Sequence, residues 1–547
     1  MSTGASFDLK RWKDYIDWKL FILLLLFLNV KLAVKIPAIV LVYCLQPNFR
    51  FGFRLRDPRL PLFYPLIIAV ALLGMLVNGD FREPNYLLVF LTGAGFWLLC
   101  LLAIHQVKLS VDQQSTEKIH HTLLVFFVLN AAVSAGNLLS IIWEIRDLNP
   151  YTYQAQYQKY FINTGDYIRG LTFDTSTTNA VINAMGIIYF FTRKQYLWLL
   201  VCMAALLLTA SNILNIAVVL ILGFLFCFRS NRDQKSFVVV CLIFLLVFMS
   251  KVSPQNLEYV GNNIEKMAGM EKPAAPHREV SLLEMAQQPD SVLTAEQRRQ
   301  KTAILYMDSL TRVWHAELKR LHPNVQPAEE QLLLPEPPIH SASYQSIKDP
   351  VSLEDPIVQF IHRYSPVLPY ATGAIPTPHL PGKAIGLLQT ASFIVQHPGH
   401  ILLGNGMGNF SSKLAFRVTG LGFAGGFPQK HTYINTDFMH NHLDLYLNFF
   451  SRQSGYHSLV NTPFSVYDQL LSEYGVLGLL LFLAAYLGFF WRHYRRLTYG
   501  IPLLLLMMGI FFIDYWFEQL SVLVLFELLL LLNIKETATV QGGPAYD

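Results

Sequence analysis

Twelve apolar runs divide this chain, and nothing else in it constrains the fold so tightly. They lie near 20–31, 33–46, 61–77, 86–104, 121–142, 177–192, 196–210, 213–228, 236–250, 472–491, 501–514 and 517–533. Runs of this length and composition cover a bilayer as helices, the shorter ones by tilting or by packing as hairpins. The first two read as such a hairpin. With 53% hydrophobic and 14% charged residues over 547 positions, the chain reads as an all-α polytopic membrane protein of about 12 transmembrane helices. The first run is followed by no small-residue cleavage site, so it reads as a span and not as a removable signal.

Positive charge orients the runs. Lys10, Arg11, Lys13 and Lys19 precede or open the first, and Arg50, Arg54, Arg56 and Arg59 follow the second. Lys108 and Lys118 follow the fourth, Arg193 and Lys194 the sixth, Arg229, Arg232 and Lys235 the eighth, and Arg492, Arg495 and Arg496 the tenth. Every even-numbered gap is basic, which places those gaps and both termini in the cytoplasm. Segments 143–176 and 251–471 then lie outside. The net charge of +5 follows from this topology and implies no nucleic-acid partner. Three parts result: a membrane region over 1–250, a large extracytoplasmic loop over 251–471, and three further helices with a cytoplasmic tail over 472–547.

A connection of more than two hundred residues must fold at least in part. Helical patches such as EVSLLEMAQQ and the stretch from Arg298 to Arg320 alternate with Pro-rich joints, so the loop reads as mainly helical. None of the five cysteines lies in it, which leaves packing to hold it together. GNGMGNF, Gly404–Phe410, lacks the strand–turn–helix setting of a phosphate loop and reads as a tight turn bringing backbone to backbone. Twelve of the 16 histidines sit in this loop. MHNHLD offers zinc-type ligands, but His440 and His442 are two apart and diverge on a helix, so no metal is assigned.

Three segments together resemble the bacterial O-antigen ligase and polymerase family of membrane glycosyltransferases. RGLTFDTSTTNA matches that family's pattern at Arg169, Gly170 and Asn179. KAIGLLQTASFIVQHPGHILLGNGMGNF is similar to its loop helix, His-Pro and Gly-rich turn, with Lys383 where an Arg is usual. QLLSEYGVLGL resembles the Gln-x-Leu-x-Glu-x-Gly-x-x-Gly leading into the span after the loop. Asn212 stands where the family shows the Arg of a Ser-Arg pair, and Phe464-Ser465 where it shows the His-Asn that supplies its catalytic group. Either His457, seven residues upstream, has taken that role, or the chemistry uses no His base.

The resemblance implies a GT-C-like fold and transfer of a glycan from a polyprenyl diphosphate to the hydroxyl of a lipid or glycan acceptor, without cofactor or metal. Such a reaction needs a cation on the departing diphosphate and a group that orients or deprotonates the hydroxyl. Arg169, exposed to snorkelling as the bland alternative, is assigned the first task and His457 the second. Lys383, Arg417, Asn179, Tyr467 and Glu473 are candidate substrate contacts. Glu473 also suits a structural role on backbone amides or an Arg, and Gly475 and Gly478 suit close helix packing. Within the family the large loop favours a ligase over a polymerase or a protein glycosyltransferase. A transporter is the rival of another class, and the near absence of mid-depth charge in the spans speaks against it.

Overall fold

Helix forms over each of the twelve apolar runs, and no strand occurs among the described residues. The computed structural model describes residues 15–28, 32–45, 47–54, 57–152, 164–173, 175–254, 261, 382–419, 427–442 and 462–540. Among the described residues the first nine helices are α1 (Trp18–Leu26), α2 (Leu32–Leu45), α3 (Phe63–Asn78), α4 (Pro84–Gln113), α5 (Thr116–Ile145), α6 (Ser176–Thr192), α7 (Tyr196–Leu208), α8 (Asn212–Phe228) and α9 (Arg232–Val247). Three short pieces of the long connection follow: α10 (Gly382–Gln396), α11 (Lys413–Val418) and α12 (Thr436–Asn441). Then come α13 (Val466–Leu481, running on to Trp491), α14 (Gly500–Ile510), α15 (Trp516–Gln519) and α16 (Leu523–Val540). The helical patches expected over 271–345 lie outside the described residues.

Among the described residues, four helices are long and apolar enough to cross a membrane: α4, α5, α9 through Val252, and α13 through Trp491. Their local chemistry explains their ends. Pro84 opens α4, where a missing N–H costs nothing, and the Ser115 hydroxyl accepts from Lys118 N to cap α5. Large apolar side chains such as Leu220, Leu246 and Phe228 remain exposed on the outside of the bundle, as a lipid-facing surface requires.

The core is aromatic. Phe63, Trp97, Phe482, Tyr486 and Phe517 stack edge to face at 5–6 Å and pin α3, α4, α13 and α15 to one another.

Two boundaries differ from the hydropathy pattern, for one reason. α13 begins at Val466, not 472, because its buried polar residues are partnered: Asp468, Ser472 and Glu473 by the preceding segment, and Gln469 by Glu518 on α15. The last apolar run is broken at Leu520, which takes φ +64, and it buries Glu518 and Glu527. Glu527 accepts from Tyr64 and Tyr486, so the bundle buries more carboxyl groups than its apolar runs suggest.

Candidate functional site

The Gly-rich turn and α13 are built into each other. At Gly475 the helix breaks, with φ +66 and ψ −168, a conformation open in practice to glycine alone. The break frees backbone groups on both sides, and the turn takes all four. Asn405 N and Gly406 N donate to Ser472 O and Glu473 O at 2.8 and 3.1 Å. Val476 N and Leu477 N donate to Ile401 O and Leu402 O at 2.8 and 3.2 Å. A Cβ on Gly475 would stand 2.4 Å from Leu402 O, and one on Gly404 2.5 Å from the Glu473 carbonyl carbon. The expected backbone approach is therefore present. Gly475, however, admits a loop where close helix packing was expected, because the helix itself is interrupted there.

Glu473 completes the interlock. Its carboxylate accepts from Gly408 N at 2.8 Å and Phe410 N at 3.2 Å, which uses it structurally. One helical turn earlier stands Asp468, also fully buried. Its Oδ1 accepts from the Thr390 hydroxyl at 2.6 Å, and its Oδ2 from the Ser411 hydroxyl at 2.7 Å. His442 Nε2 lies 3.0 Å from the same Oδ2. The His442 ring is fully buried against Phe410, with centroids 4.8 Å apart. Its Nδ1 has no hydrogen-bond partner among the described residues. With Nε2–H donated to the carboxylate, Nδ1 presents a lone pair that no donor among the described residues meets.

Lys383 extends from the start of α10 towards the same cluster. Its ammonium donates to Thr462 Oγ1 at 3.1 Å, to Phe464 O, and to Ile513 O at 3.0 Å. Three donors meet three acceptors, so this lysine clamps α10, the approach to α13 and the end of α14 and keeps no N–H for a phosphate. Burial pushes it down to about 7, against the opposing pull of Asp514 and Asp468. Phe464, which stands where the resembled family has its His, packs on Tyr515 and Phe416, while Ser465 caps α13.

Arg169 occupies a separate turn over α5 and α6. Its side chain is exposed, with the guanidinium over the Tyr167 ring at 5.7 Å. Asn137 Oδ1 accepts from the Arg169 and Gly170 amides at 3.1 and 3.0 Å. Gly170, at φ +56, sits where a Cβ would meet the Asn130 and Asn179 amide oxygens at 2.5 and 2.7 Å. Asn179 donates to Ser134 Oγ and Ile168 O, and accepts from Asn130 and Asn183. Buried and saturated, Asn179 positions the Arg169 turn and leaves no group for a ligand.

The remaining assignments scatter. Arg417 lays its guanidinium 5.6 Å from the Phe96 ring centroid, and burial pushes it down while Glu518 pulls it back. Tyr467 donates to Met508 O at 2.8 Å. His457 lies outside the described residues. The cluster at Asp468 was not singled out from sequence, and its one available signal was His442 in MHNHLD, with an Asp beside the next span. No family model, characterised protein or solved structure matches the chain.

Proposed function

We propose that this protein is a membrane glycosyltransferase of the O-antigen ligase type, with twelve spans, both termini cytoplasmic and residues 251–471 periplasmic. It moves a glycan from a polyprenyl diphosphate to an acceptor hydroxyl. The observation that carries this reading is the buried His442–Asp468 pair with Nδ1 unpartnered, beside the segments that bear the resemblance.

In this reading the acceptor hydroxyl donates its proton to His442 Nδ1, and Asp468 stabilises the imidazolium through Nε2–H. The acceptor oxygen forms a bond to the anomeric carbon as the carbon–oxygen bond to the diphosphate breaks, and the electron pair leaves with the diphosphate. Arg169, exposed and held by Asn137 and Gly170, supplies the planar cationic fork that suits phosphate oxygens. His442 replaces His457 as the preferred base.

One observation favours transport instead: a discontinuous helix is the usual ion or substrate site of a transporter. Here the four backbone groups flanking the break bond to residues 401–406, so they are not offered to a solute.

The test is complementation of a deletion strain by wild type, Arg169→Ala, His442→Ala and His457→Ala at matched membrane abundance. Loss of surface glycan with accumulation of its lipid-linked precursor in the first two variants supports the reading. Wild-type glycan in both overturns it, and loss in the His457 lane alone returns the base to His457.

A further inference from the structure

α10 carries its polarity the wrong way round for water. Its buried residues are Gly382, Gly386, Gln389, Thr390 and Phe393, so two of its polar side chains face the protein. Thr390 reaches Asp468, and a Cβ on Gly386 would lie 3.6 Å from both Asp468 Oδ2 and His442 Nε2. From Gly382 to Val395 the exposed residues are Leu388, Ala391 and Val395, spaced to share one helix face, with Val395 78% exposed. A helix bathed in water shows the opposite pattern. Exposed polar groups begin only at the end of the helix, with Gln396 and His397.

The depth of α10 follows from what lies at its two ends. Beyond its end, Gly404 O accepts from Asn78 at 3.2 Å, and a Cβ on Gly74 would lie 3.5 Å from Leu403 O, so residues 403–404 sit at the last turn of α3. At its start, Lys383 donates to Ile513 O at 3.0 Å, in the turn that follows α14. That turn lies deep. Phe511 stacks on Phe517 at 5.7 Å, Phe517 packs on Trp97 at 5.0 Å, and both Phe517 and Trp97 meet Phe63. Phe63 opens the 16-residue α3, and Trp97 lies in the fourth turn of the 30-residue α4. At 1.5 Å per residue this layer is about 20 Å below the ends of α3 and α4 that meet the Gly-rich turn. The 15 residues of α10, about 22 Å long, cover that interval. Over the same interval α3 exposes Leu72, Leu73 and Leu76, part of the surface that the spans turn to lipid.

We propose that α10 is a membrane-embedded half-helix whose outer face, Leu388, Ala391 and Val395, is covered by the acyl chains of the bilayer. Its apolar face continues the lipid-facing surface of the spans, and Gln396 and His397 mark the headgroup level. Non-helical backbone such as the turn at Ile513 is tolerated at this depth only where protein surrounds it, and α10 supplies part of that cover. Of residues 251–471, then, 382–396 lie within the membrane. The inference rests on α4 crossing the bilayer and not on the transfer reaction.

The experiment uses the full chain with its two exposed cysteines removed, as Cys44→Ser and Cys227→Ser. Into this background go Leu388→Cys, Ala391→Cys or Val395→Cys, with Leu76→Cys as the lipid-facing reference and the exposed Arg495→Cys as the aqueous one. Each protein is labelled with bimane and reconstituted in phosphatidylcholine vesicles, and the loss of fluorescence is read with nitroxides on the lipid acyl chains or with iodide on both sides. Acyl-chain nitroxides should quench the three α10 positions as they quench Leu76→Cys, a deep nitroxide favouring Leu388→Cys and a shallow one Val395→Cys. Iodide should quench Arg495→Cys alone. Iodide quenching on α10 equal to that of Arg495→Cys places the face in water, and quenching by neither agent places it against protein, this chain's own or a second copy. Either result overturns the proposal. Each position reads by itself, so the loss of one variant to misfolding leaves the other two decisive.

Discussion

His442 and His120 each meet a carboxylate, yet the two pairs are built for different work. His442 packs against Phe410 and bonds Asp468, and among the described residues only one of its ring nitrogens is engaged. His120 borders a cavity, and both of its nitrogens are engaged, by Tyr189 and Glu536. A proton added at Nδ1 of the first breaks no hydrogen bond among the described residues. At the second, a proton on the nitrogen facing Tyr189 forces that hydroxyl to give up its role as donor. Their supports differ too. A backbone interlock at a glycine holds the first in place, whereas side chains from α5, α6 and α16 hold the second together.

The sharpest way to break this contrast is to remove each ring in turn. His442→Ala should lower glycan transfer by about 10²- to 10⁴-fold with lipid-linked donor still bound, the usual worth of general-base assistance. His120→Ala should lower the unfolding midpoint while transfer per folded molecule stays within a few-fold of wild type. Comparable losses of turnover would erase the distinction.

Next in size is the interlock. Gly475→Ala places a Cβ against Leu402 O in a backbone conformation reserved for glycine, and should cost about 3 kcal/mol or more in chemical denaturation. Transfer should fall with it. Glu473→Gln keeps the shape but weakens two buried amide bonds, and should cost about 1–3 kcal/mol by the same measurement.

A further prediction is a pH slope. Lys383 is held down to about 7 in the folded protein, from an ordinary 10.5, chiefly by burial. Between those values the unfolded chain binds more protons at this site than the folded one, so the term adds stability as pH rises from about 7 to 10.5. Below 7 both states are protonated and the full penalty is present. Lys383→Met should flatten the slope of stability against pH across that window.

Helices were legible in the sequence because a bilayer-length apolar run is a local signal, and each of the twelve runs became helix. The site was less legible because its partnerships are long-range. Asp468 gains its meaning from Thr390, Ser411 and His442, which lie 78, 57 and 26 residues away. Hydropathy trimmed α13 to its apolar part and so discarded the turn that carries Asp468. Glu473 and the Gly-rich turn were each noticed, and Glu473 was correctly offered a role on backbone amides, but their pairing across 65 residues has no local trace. Arg169, Gly170 and Asn179 fall in one short stretch of sequence, and Asn179 bonds Ile168 O only 11 residues back, so their association in one turn is local.

The most direct test of the account is single-turnover glycan transfer by purified His442→Gln in nanodiscs. The glutamine amide fills part of the ring's space and still donates to Asp468, but it offers no basic nitrogen. A fall in rate of about 10²-fold or more, at unchanged stability, is the predicted result. A rate within about threefold of wild type would contradict a base at Nδ1 and remove the observation on which the functional reading rests.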